Sequence, residues 1–63
     1  MKTIKTTITK NNDWWIAEFV IDGKEYGTQG KTLTELELMV KDAAGIMTGT
    51  PREEFLIVFE NYP

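Results

Sequence analysis

At 63 residues, 41% of them hydrophobic, and with a net charge of -3, the chain has the size of one small acidic domain, which buries only roughly 60% of its unfolded surface and is marginal when alone. It contains no Cys, so neither disulfides nor thiolate-held metal can staple it, and self-association is the remaining source of help. The acidic balance argues against direct nucleic-acid binding, which runs on clustered Lys and Arg. The longest apolar run, Phe55 to Phe59, is too short for a membrane span or the core of a signal peptide. The expectation is a soluble cytoplasmic protein with no membrane partner.

Lys2 to Lys10 alternates, with Ile4 and Ile8 on one side and Lys5, Thr7 and Thr9 on the other, and predicts a half-exposed first strand. Lys2, Lys5 and Lys10 suit a solvated strand that resists edge pairing. Asn11-Asn12-Asp13 is a turn signal, because Asn and Asp tolerate left-handed backbone. Trp14 to Ile21 is the second strand: Trp15, Ala17, Phe19 and Ile21 form an apolar side that should face a helix, and Trp14, Ile16, Glu18 and Val20 form the other. Asp22-Gly23 is a hairpin dipeptide leading to a short third strand, Lys24 to Gln29, in which Gly27 suggests a bulge or an edge.

Gly30 is expected to permit unusual backbone at a sharp exit from that strand. Thr32 followed by Glu35 has the spacing of a reciprocal capping box, so a helix should begin at about Leu33. Leu33, Leu36, Val40, Ala43, Ala44 and Met47 recur at helical spacing and line one side of it. Gly49 and Pro51 end it near Met47 or Thr48. Phe55-Leu56-Ile57-Val58-Phe59, between Glu54 and Glu60, is apolar on both faces and reads as a fourth strand inside the sheet or at an interface. The order β-β-β-α-β with a right-handed crossover predicts an α+β fold of two layers: one four-stranded mixed sheet in the order 3-2-1-4, with one helix on one face.

Asn12-Asp13-Trp14-Trp15-Ile16-Ala17 and Thr28-Gln29-Gly30-Lys31-Thr32-Leu33-Thr34-Glu35 resemble, respectively, the acidic-aromatic hairpin and the helix start of the HicB family of antitoxins. The family's pattern runs through the element order of the whole chain. It departs where Leu36 stands in place of the usual Ala and where Ile21-Asp22-Gly23 replaces a Pro-containing loop. The resemblance implies a single HicB-like domain over 1–63 with a partial RNase H-like fold. It also implies a partner, a small RNA-cleaving HicA-type toxin with a double-stranded-RNA-binding-like fold. Many relatives add a helix-turn-helix or ribbon-helix-helix segment, and none is visible in this sequence, so direct operator binding is not expected.

The residues present do not suggest catalysis. With no His, Cys or Ser, the usual nucleophile and base pairs are missing, and the carboxylates are scattered over turns, a strand and a helix instead of being gathered for metal-assisted phosphate chemistry. Glu37 and Lys41 are better explained as an i,i+4 ion pair. No catalytic residue, cofactor or metal site is therefore expected. Trp14-Trp15 must point to opposite faces, and base stacking by the outer one would need a basic groove that the sequence lacks. The expected interface is protein-binding: Trp14, Ile16 and Val20 on strand two, Leu56 and Val58 (or else Phe55, Ile57 and Phe59) on strand four, and Leu38 on the outer side of the helix. Exposed apolar groups gathered in this way usually mark an interface. A HicB-like antitoxin that occludes a basic protein fits this pattern. So do a small acidic phage or mobile-element inhibitor of a nucleic-acid enzyme and a structural homo-oligomer joined through its sheet.

Overall fold

Two short turns set the register of the first three strands. In the computed structural model, which describes residues 1–61, Asn12-Asp13 joins β1 (Lys2–Asn11) to β2 (Trp14–Ile21), and Asp22-Gly23 joins β2 to β3 (Lys24–Gly30). Asn12 has φ 58°, and Asp22 and Gly23 have φ 51° and 80°. Positive φ at both central residues makes Asp22-Gly23 a primed hairpin turn, whose twist matches that of its strands. These turns place Asn11 opposite Trp14 and Ile21 opposite Lys24, and alternation then assigns every other side chain to a face. Gly27 pairs with Glu18 in unbroken register, so it marks an edge strand and no bulge. Tyr62 and Pro63, the end of the expected 1–63 domain, lie outside the described residues.

The helix α1 (Leu33–Thr48) starts where expected. The Thr32 hydroxyl accepts the Glu35 N–H at 3.0 Å, while the Glu35 carboxylate accepts the N–H of Lys31 at 3.2 Å. The capping exchange is thus displaced by one residue, its return bond falling just upstream of the cap. Gly30 corrects an expectation, because its φ is not positive. A Cβ there would lie 3.1 Å from the Leu36 backbone nitrogen and 3.3 Å from the Glu35 carboxylate, so the residue is small because the helix start descends onto the end of β3.

At the other end Gly49, at φ 71°, donates its N–H to the Gly45 carbonyl at 2.9 Å, a left-handed cap. The chain then turns back along the helix so tightly that a Cβ on Gly45 would meet the Thr50 carbonyl oxygen at 3.0 Å. Arg52 reaches Asp42 at 2.9 Å. The Asp42 carboxylate, through that hydrogen bond and then through its charge, raises the Arg52 pKa above its ordinary value. One 3-10 turn, Arg52–Glu54, delivers the chain to β4 (Phe55–Glu60).

The four strands form one mixed sheet in the order β3-β2-β1-β4, with β4 parallel to β1 and the other pairs antiparallel. The fold is α+β, a single sheet with a helix on one face. Ile4, Ile8, Ala17, Phe19, Ile21 and Phe55 meet Leu36, Val40 and Ala44 in the buried layer between them. Thr6, on the same side as the two Ile residues, is buried as well. Two expectations change here. Met47 shares the helical spacing of the stripe but is 52% exposed, because burial stops at Ala44 and the last turn carries it clear of the core. The alternative of a fourth strand inside the sheet also falls, since β4, though apolar on both faces, is an edge strand, as the expected order 3-2-1-4 requires.

Candidate protein-binding face

The pairings settle which side chains share the face away from the helix. Lys2 opposite Phe55, Ile4 opposite Ile57 and Thr6 opposite Phe59 look toward the helix, so Thr3 with Leu56, Lys5 with Val58 and Thr7 with Glu60 look away from it. On the other half of the sheet, Ile16 with Gln29, Glu18 with Gly27 and Val20 with Glu25 look the same way. The choice for strand four is thereby decided. Phe55 is buried, Ile57 and Phe59 are half-buried against the core, and Leu56 and Val58 are 48% and 38% exposed.

The sequence-selected residues do not all come together. Trp14, Ile16 and Val20 line the outer side of β2, with Val20 58% exposed and Ile16 half-buried. Leu56 and Val58 line β4, and the outer side of β1 between the two strands is Thr3, Lys5, Thr7 and Thr9. The apolar groups therefore form two islands separated by a polar strand. Leu38 is exposed on the helix, in the other layer, and cannot share a flat docking surface with the sheet residues. The lysines of β1 are divided in the same way: Lys5 joins the open face, while Lys2 and Lys10 pair with residues of the covered one.

Each tryptophan has a cation over its ring. Lys31 lies 5.2 Å from the centroid of Trp14, and Lys10 lies 5.2 Å from that of Trp15. Trp15 is only half-buried, not sunk beneath the helix, because it stands opposite Gly30 at the end of the sheet and the buried helix residues begin at Leu36. Lys31 occupies one side of the Trp14 ring and so leaves less of it for stacking.

Over β1, β2 and β3 lies a shallow open basin of about 510 Å³, whose lining includes Thr3, Lys5, Thr7, Glu18, Val20 and Glu25. Glu18 and Glu25 make no ion pair among the described residues; the carboxylates that do are Glu37 with Lys41 at 3.1 Å, Asp42, and Glu53. With Glu60 beside Thr7, the face presents three carboxylates and two ammonium groups, that of Lys5 and that of Lys31 over Trp14. Sequence reasoning missed this grouping because only strand register sets Glu25 diagonally across from Glu18 and puts Glu60 in the row of Glu18, on the far side of Thr7.

Sequence reasoning also missed Met39 and Ile46, which share one helix flank with Ala43 and Met47 and are 42% and 82% exposed. No group of three or more His, Cys, Asp or Glu among the described residues could hold a metal ion, and no helix among them is long and apolar enough to cross a membrane. No family model, no curated protein and no solved structure matches the chain.

Proposed function

We propose that the protein is a non-enzymatic binding module that docks a basic protein on the open face of its sheet, acting in the cytoplasm as a HicB-like antitoxin toward a small RNA-cleaving HicA-type toxin. The observation that carries this is the open face itself. The helix lies on one side of the sheet, and the other side combines exposed Trp14, Val20, Leu56 and Val58 with Glu18 and Glu25, which make no ion pair among the described residues. Apolar side chains supply area and the carboxylates supply a field that steers a cationic partner, which acts on association rate more than on affinity. The antitoxin assignment adds the resemblance of the hairpin and the helix start to that family.

The test is co-expression with any small basic protein encoded beside this gene, followed by affinity capture and a growth assay. The expected result is a stable complex and rescue of growth, both lost in Glu18→Lys with Val20→Lys while the far-ultraviolet spectrum stays native. If no complex forms and growth is not restored, the antitoxin reading falls.

A further inference from the structure

The two edges of the sheet are built differently. β3 carries Lys24 and Glu25 at its start, Gly27 in the middle and Gln29-Gly30 at its end, a charged and glycine-interrupted composition that discourages another strand. β4, the opposite edge, is Phe55-Leu56-Ile57-Val58-Phe59-Glu60. Its first five residues contain no charge, Gly or Pro, and its pairing with β1 runs through all of it without a bulge. The outer row of N–H and C=O groups on β4 is therefore straight and pairs with no strand among the described residues. Among the described residues no bulge, Gly, Pro or covering helix blunts the edge, and its one charge is Glu60 at the end.

We propose that β4 pairs antiparallel with β4 of a second copy, so that two sheets become one across a two-fold axis at Ile57. Side-chain parity selects this register. A two-fold axis perpendicular to the sheet keeps each face on its own side, so a helix-facing residue must oppose a helix-facing residue. Centred on Ile57, Phe55 opposes Phe59 and Leu56 opposes Val58, which sets apolar groups against apolar groups on both faces. Moving the axis by one residue sets Val58 against Glu54, or Leu56 against Glu60. The strand is thus its own complement in one register, which is why the occupant is a second copy. Ile57 and Phe59, only half-buried beneath the helix, gain Ile57 and Phe55 of the neighbour as cover. Glu54 of each copy stands opposite Glu60 of the other, so repulsion at the two ends loosens the pair and salt screening tightens it. The proposal uses the edge, leaves the β2 and β3 side of the open face free, and does not rest on the antitoxin reading.

Sedimentation equilibrium over a range of concentrations, with hydrogen exchange of the β4 amides, tests it. The expected result is a reversible dimer that tightens with salt, with slower exchange in Phe55 to Glu60 as concentration rises. Glu60→Lys should replace two repulsions by two attractions and tighten the dimer on the order of tenfold at low salt. Leu56→Lys should abolish it while leaving a folded monomer, since Leu56 is already half-exposed, and Val20→Lys should leave it intact. A wild-type protein that stays monomeric at every concentration overturns the proposal, as does a dimer broken by Val20→Lys and unaffected by Leu56→Lys.

Discussion

The same four strands present two faces that follow different rules. Toward the helix, Ile4, Ile8, Ala17, Phe19 and Phe55 are buried, whereas Thr3, Lys5, Glu18, Val20, Leu56 and Val58 on the other side are all exposed. Composition alone does not explain this, because β4 is apolar on both faces and still buries only one residue of its six. Cover explains it: one helix of 16 residues lies on one side only. Stability is concentrated beneath the helix, and capacity for recognition on the side it leaves bare.

Substitutions on the two sides should therefore separate folding from binding. The largest effect is expected beneath the helix. Leu36 is fully buried, so Leu36→Ala removes its contacts and leaves a cavity, costing about 2–5 kcal/mol. That is a large share of what a small domain has, and urea denaturation should show the midpoint collapse. A loss under about 1 kcal/mol would mean that the layer is looser than its burial indicates.

A smaller loss is expected where the helix begins. Thr32→Ala removes the hydroxyl that accepts the Glu35 N–H at 3.0 Å, a change of about 1 kcal/mol, read as a shift in the same denaturation curve. The smallest lies on the open face. Val20→Ser should alter stability by no more than about 0.5 kcal/mol, yet weaken capture of a basic partner. Equal losses of stability in Val20→Ser and Leu36→Ala would erase the distinction between the faces.

Much of the fold is legible in short-range signals. Asn12 and Asp22-Gly23 adopt positive φ where turns are expected, Thr32 caps the helix, and Gly49 closes it. These features depend on neighbours a few residues away, which a sequence displays directly. The candidate site is less legible. Glu18, Glu25 and Glu60 come to share one face through register, Lys5 divides the apolar islands through register, and Leu38 is removed to the other layer by the position of the helix. The reason for Gly30 is also tertiary: the close approach of Leu36 and Glu35, where local reasoning expects a backbone requirement.

The sequence by itself determined the elements, their order and the two alternating sets of side chains on each strand, because turn geometry, capping and pleat are properties of adjacent residues. On β4 only the tertiary structure decided which set is sheltered. An apolar strand such as β4 has two equivalent faces until a helix lies against one of them, and the crossover that places that helix makes Phe55 core and Leu56 and Val58 surface.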